Sequence, residues 1–235
     1  HLLRGQYGTA LELADEMLAR GERGDHLAEG HLYRGLVHMY LADFDLAREH
    51  LGEAFTRYRR PDRSDHIYEA QGDTGVGALA YLAIVLWNLG HAEESLARSD
   101  LSLERAEQVG GPVTRAQAWG VRSLYHLSRT EAAEFGQWVE KTRAHSVDHD
   151  LGYWRTVSSL LSGWLRGRAG EVELGTARLE ESLGAYRASG SRLGTPHFQV
   201  LLADLRLAAG DRRRALEAPR TGDEYIEETG ERFSE

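Results

Sequence analysis

No cysteine occurs in the chain, which excludes disulfides, thiolate nucleophiles and cysteine-ligated metals. Lysine is nearly absent too: Lys141 stands alone and every other cation is arginine, a bias that fits a GC-rich bacterial genome. Only 4 prolines are spread over 235 residues, and no Pro/Gly/Ser block divides them, so the chain reads as one continuous structural unit. The longest apolar stretch, 76–89, contains Asn88 and falls short of the ~20 residues that span a bilayer. No charged-then-apolar leader opens the sequence, so a cytoplasmic address away from membranes is expected. With a net charge of −9 and no broad basic cluster, nucleic acid is not expected as a direct partner.

What is present is a recurring small residue. Gly5-Gln-Tyr-Gly-Thr-Ala10, Ala42-Asp-Phe-Asp-Leu-Ala47, Gly90-His-Ala-Glu-Glu-Ser95, Ser128-Arg-Thr-Glu-Ala-Ala133, Gly170-Glu-Val-Glu-Leu-Gly175 and Gly210-Asp-Arg-Arg-Arg-Ala215 align without gaps. Each has Gly, Ala or Ser first and a small residue five places later. Successive first places lie 37, 48, 38, 42 and 40 residues apart. A tight turn into a second helix, followed by a close helix contact, needs this pattern, and repetition at such a period predicts a solenoid of helix pairs.

The spacing predicts a lone helix over 6–21, then five pairs: 25–42 with 44–60, 67–89 with 92–109, 113–128 with 131–145, 151–168 with 171–189, and 195–209 with 212–229. As repeat units these are a half pair at 1–22 and pairs at about 25–60, 66–109, 112–147, 150–190 and 192–230. Apolar stripes support them: Leu11, Leu13, Ala14, Met17 and Leu18; Leu46, Ala47, Leu51, Ala54 and Phe55; Leu174, Leu179, Leu183 and Tyr186. Asp62 or Ser64, Asp73 and Thr195-Pro196 supply helix starts. No stretch alternates with period two, so the fold class is all-α. Gly5 already sits at an inter-helix turn, and Thr229 to Glu235 reads as the entry to a further helix, so the chain is expected to be a segment of a longer polypeptide.

Counting back seven from each turn gives Gly35, Ala83, Val121, Gly163 and Ala203, all small except Val121. Small first-helix residue, Gly-Asp/aromatic turn and following Ala together resemble the tetratricopeptide (TPR) pattern, in a long-repeat form without its usual Trp and closing Pro. The segments 73–90, 190–203 and 228–233 are similar to the TPR-like C-terminal region of bacterial multi-domain signalling proteins. Those proteins carry an adenylate/guanylate cyclase or a DNA-binding domain and then a STAND-type AAA ATPase. The resemblance implies a right-handed TPR-like α-α superhelix of antiparallel helix pairs, with catalysis in domains outside this segment.

Chemistry-bearing motifs are few. Gly75-x-Gly77-x-x-Ala80 mimics a dinucleotide fingerprint but lacks the preceding strand, so no cofactor is expected and the stretch reads as a capped helix entry. His145 and His149 stand at chelating spacing without a third ligand, so no metal is expected. Neighbouring carboxylates such as Glu93-Glu94 point some 100° apart on a helix and do not converge across a cleft. Neither a Gly-x-Ser-x-Gly elbow nor a phosphate-binding Walker loop is present, so the segment is not expected to be an enzyme. The resemblance implies a groove lined by first helices, and its offsets select Met39, Tyr40, Trp87, Asn88, Arg115, Arg122, Tyr125, His126, Trp164 and Arg168. That set is aromatic and basic, as interface hot spots are, although Trp87 and Trp164 also suit plain inter-helix packing. A protein or peptide partner is expected, the ATPase or cyclase domain of the same chain among them. The alternatives are a small-molecule effector sensor and a self-associating structural array that forms a homodimer.

Overall fold

The computed structural model describes residues 1–20, 24–58, 72–129 and 131–233. Among them the chain is all-α, with eleven α-helices, one 3₁₀ turn at Leu2–Arg4 and no strand. The helices are α1 Tyr7–Ala19, α2 Gly24–Tyr40, α3 Phe44–Arg57, α4 Thr74–Asn88, α5 Ala92–Val109, α6 Pro112–Ser128, α7 Ala132–Asp148, α8 Gly152–Arg168, α9 Val172–Ala188, α10 Thr195–Ala208 and α11 Arg212–Thr229. Their ends fall within three residues of the sequence reading except at the start of α4; residues 59–71, with the candidate caps Asp62 and Ser64, lie outside the described residues. Asp73 caps α4, its Oδ1 accepting the Val76 N–H at 2.9 Å. Pro112 and Pro196 sit in the first turns of α6 and α10, where a missing N–H costs nothing.

The turns obey a stricter period than the sequence reading found. Backbone φ is positive at Gly90, Gly110, Asp150, Gly170, Gly190, Gly210 and Gly230, so left-handed residues stand at intervals of 20. Position 130, which falls in the same phase, lies outside the described residues; Gly111 and Gly194 are left-handed out of phase. Glycine suits these places because a Cβ in that conformation costs roughly 1–2 kcal/mol. After Gly90, Asp150, Gly170, Gly190 and Gly210 the following residue closes the turn by donating its N–H back over the helix end. His91 reaches Leu86 O at 2.9 Å, Leu151 reaches Ser146 O at 2.9 Å, Glu171 reaches Arg166 O at 3.1 Å and Asp211 reaches Arg206 O at 2.9 Å. These are Schellman-type closures.

Glu131 makes the same bond to His126 O at 3.1 Å. That bond corrects one alignment: the fourth copy begins at position 130, not at Ser128, and the turns from Gly90 to Gly210 are then 40 residues apart throughout (91, 131, 171 and 211 as donors). Counting back seven now selects Ser123, 1% exposed, in place of Val121, which restores a small residue to every first helix. Counting on five selects Phe135, 1% exposed, as the one bulky residue in the second helices. Ser128 and Ala133 mimicked the small-residue rule while sitting two places out of register.

At the other crossings the close approach is real. A Cβ on Gly35 would lie 2.7 Å from Leu51 Cγ, and one on Gly163 would lie 2.9 Å from the Leu179 amide nitrogen. The Ser95 hydroxyl donates to Ala83 O at 2.7 Å, bridging α5 to α4 at the matching place. Three members of the expected stripes, Leu13, Leu46 and Leu174, are exposed. Leu46 and Leu174 each precede the buried crossing residue, Ala47 or Gly175, and a helix turns about 100° per residue.

The chain divides into two compact units, Tyr7–Trp138 and Val139–Glu235 with His1–Gln6, and the division falls inside α7 with no linker-like stretch to mark it. In the first unit α4 is the central helix, buried from Thr74 to Leu86 and touching α2, α3, α5 and α6, as an all-round apolar helix must be. Val76, Ala106, Ala118 and Trp119 form part of its core, with Trp138 against them. In the second unit α8 pairs with α9 and α10 with α11. Tyr186 anchors it, its hydroxyl donating to Leu193 O at 2.8 Å and its ring set edge-on to Phe198. The opening turn joins this unit: Leu3 O accepts the Arg192 N–H at 2.7 Å, and left-handed Gly5 leaves room for the Tyr225 hydroxyl. Among the described residues no helix is long and apolar enough to cross a membrane.

Candidate functional site

The ten groove positions separate by burial. Met39, Tyr40, Tyr125 and His126 are core, between 0% and 7% exposed, and Tyr40 stacks on Tyr7. Trp87, Arg115, Arg122 and Trp164 are half-buried, whereas Asn88 and Arg168 are exposed. Asn88 folds its amide back onto Ile84 O, and Arg115 pairs with Glu107 at 3.1 Å. The offsets counted from the turns locate the helix face correctly for the outer positions. They cannot reveal which of those side chains the core consumes.

Four of the ten converge around the α6–α7 turn. Arg122 donates from Nε to His126 Nε2 at 2.9 Å, while its Nη1 lies 2.9 Å from Asp100 Oδ1 on α5. Because guanidinium only donates, His126 Nε2 must accept, and its proton sits on Nδ1, which donates to Glu131 Oε2 at 2.7 Å. The other Glu131 oxygen takes Arg129 Nη2 at 2.8 Å. Arg129 also donates to the Tyr125 hydroxyl at 3.0 Å and lies over the Trp87 ring, 4.6 Å from its centre. Burial pulls the His126 imidazole below its ordinary value, outweighing the opposite pull of the Glu131 hydrogen bond. The hydrogen bond from Arg129, aided by His126, holds the Glu131 carboxyl at about 2. Both imidazole nitrogens and both carboxylate oxygens are engaged, so the arrangement clamps the turn and ties α4, α5 and α6 to it. Asp100, Arg129 and Glu131 were not among the sequence candidates.

In the second unit Trp164 and Arg168 share one acceptor. Trp164 Nε1 donates to Asp204 Oδ2 at 2.8 Å and Arg168 Nη1 to Asp204 Oδ1 at 3.4 Å, linking α8 to α10. Here a half-buried indole and an exposed guanidinium stand side by side at the surface.

A third cluster was not among the sequence candidates. His31 and His38 on α2 meet His50 on α3: the His31 and His50 Nδ1 atoms lie 3.0 Å apart, and His38 stacks on His50 with ring centres at 5.8 Å. Burial lowers the pKa of both His31 and His50, and Arg57 and Arg34 push the same way. His31 and His38 are two helical turns apart, the only trace of this in the sequence.

Gly75 and Gly77 are buried because Tyr58 and Gln117 occupy the space a side chain would need, with a Cβ on Gly75 landing 2.5 Å from Tyr58 Cδ1. The Tyr58 hydroxyl donates to the capping carboxylate of Asp73. The His145 and His149 rings pack 4.3 Å apart, and among the described residues no group of three or more His, Cys, Asp or Glu is placed to hold a metal ion. No family model, curated protein or solved structure matches the chain.

Proposed function

We propose that the chain is a TPR-like array of helix pairs that serves as a non-catalytic interaction domain of a bacterial signalling ATPase or cyclase, in a right-handed superhelix whose concave face receives an extended peptide, a helix or another domain of the same polypeptide. The observation that carries this reading is the turn period: left-handed residues at Gly90 and Gly110 and every 20 positions from Asp150 to Gly230, with a small residue in each first helix where a pair crosses. Such a scaffold fixes its turns and crossings by local chemistry and presents outward side chains of the first helices for recognition. Trp164 and Arg168 on α8 suit that use, since aromatic and arginine anchors dominate hot spots.

The test is selection of binding peptides from a displayed random library against the whole chain. Trp164→Ala and Arg168→Glu should each weaken the selected peptides by about tenfold or more, with helical circular dichroism unchanged. Failure to select any peptide, or selected peptides indifferent to both substitutions, would remove this reading. Small-angle scattering tests the superhelix separately, an elongated particle being expected.

A further inference from the structure

Between α8 and α9 the second unit carries a cleft of ≈ 470 Å³, within the range of small-molecule sites. Three guanidinium groups line it, Arg155, Arg166 and Arg178, together with the hydroxyls of Ser159 and Ser182. Two of the arginines are tied only at the surface, Arg155 to Asp150 and Arg166 to Glu171, each at 2.6 Å. Arg178 makes no hydrogen bond or ion pair among the described residues, although its charge acts on the nearby Glu140. The Ser159 and Ser182 hydroxyls are likewise uncommitted, whereas Thr156 at the edge donates to Gly152 O at 3.0 Å. One acid, Glu181, faces the same cleft, and Leu174, 51% exposed, supplies an apolar wall.

We infer that this cleft binds a small phosphate monoester with an apolar or ring-shaped carbon skeleton. A free guanidinium beside two free hydroxyls offers several donors to one oxyanion, and arginine matches phosphate geometry with paired N–H groups. Arg155 and Arg166 add charge, because exposed ion pairs exchange readily for a better acceptor. Glu181 repels, which favours a ligand seated toward Arg178 and Ser182, and Leu174 gives the carbon skeleton a surface. The cleft lies within one helix pair and does not depend on a peptide occupying any other face.

Isothermal titration of the whole chain at low salt, with phenyl phosphate, inorganic phosphate and a phosphoserine peptide as probes, tests the assignment. Phenyl phosphate should bind saturably with a Kd of about 1 mM or tighter, ahead of inorganic phosphate, and weaken as salt is added. Arg178→Gln should reduce affinity by about tenfold or more, Ser182→Ala by less. Arg213→Gln on α11, whose guanidinium pairs with Glu217 elsewhere, should leave it unchanged. Two-dimensional amide spectra confirm that each variant is folded. Absence of saturable binding by any probe, or equal loss in Arg178→Gln and Arg213→Gln, overturns the site. Tighter capture of the phosphoserine peptide than of phenyl phosphate overturns the small-ligand assignment.

Discussion

Gly175 faces Gly163 so closely that a Cβ on Gly175 would lie 2.6 Å from the Gly163 carbonyl oxygen and 2.6 Å from Gly167 Cα. Backbone touches backbone where α9 crosses α8, with no flexible side chain to yield. Gly175→Ala should therefore destabilise the chain by about 1–3 kcal/mol, the usual cost of overpacking. Gly184, on the same helix, has nothing within 4 Å of an added Cβ. Gly184→Ala should stabilise by roughly 0.5–1 kcal/mol through helix propensity. Urea denaturation of the two variants checks the opposite signs.

Ala42 holds φ at 62°, a left-handed conformation that glycine takes at the equivalent turns. Ala42→Gly should raise stability by about 1 kcal/mol. Asp150, at φ 51°, should gain less from the same change, since aspartate tolerates this region better than alanine. Thermal unfolding of both variants separates the two.

The α6–α7 clamp makes the chain acid-sensitive. Glu131, held at about 2, is depressed from its ordinary 4.5. The native state therefore binds fewer protons than the unfolded one, and the stability this carboxylate contributes, complete above pH 4.5, is lost as pH falls toward 2. His126 is also lowered and acts in the same direction at higher pH, its contribution fading below its unfolded value of 6.5. Glu131→Gln should cost about 1 kcal/mol at neutral pH and flatten the acid limb of a stability–pH profile. A profile unchanged by this substitution would show that the clamp contributes nothing to it.

His31 and His50 predict a second, separate pH effect. With their Nδ1 atoms 3.0 Å apart, one ring must donate and the other accept, so at most one is positively charged without loss of the contact. Both are lowered from 6.5, so stability is full above that value and declines on acidification. Arg34 and Arg57 sharpen the penalty, while Glu49, Glu53 and, beside His38, Asp43 offset part of it. His50→Gln should reduce the stability lost between pH 7.5 and 5.5, as measured by chemical denaturation. Carbon-13 relayed proton spectra of the rings should place both titrations below 6.5.

Turns and helices were legible because their chemistry is local. Gly90, Gly170 and Gly210 mark left-handed closures, Asp73 marks a cap, and the unbroken apolar run of α4 marks a helix buried on every side. The slip at Ser128 arose because small residues also occur two places away, and only the Glu131 to His126 hydrogen bond fixes the phase. Sites were less legible. Tyr125 and His126 share a helix face with Arg122, yet the partners that decide their roles, Asp100, Glu131 and Trp87, come from other elements. Sequence spacing carries no record of such meetings. The histidine cluster and the arginine cleft are likewise made by two helices laid together, so neither helix alone announces them.

Because one closure chemistry ends every helix from α6 to α10, nothing in those turns tells a helix whether to fold against its predecessor or its successor. That choice falls to the crossings, where Gly163 meets Gly175 and Ser95 meets Ala83. A nascent chain that docks each helix one neighbour too late would keep every bend intact and still misassemble, a trap of the kind tandem architectures suffer. The glycines of α8 and α9 thus guard partner choice as well as compactness.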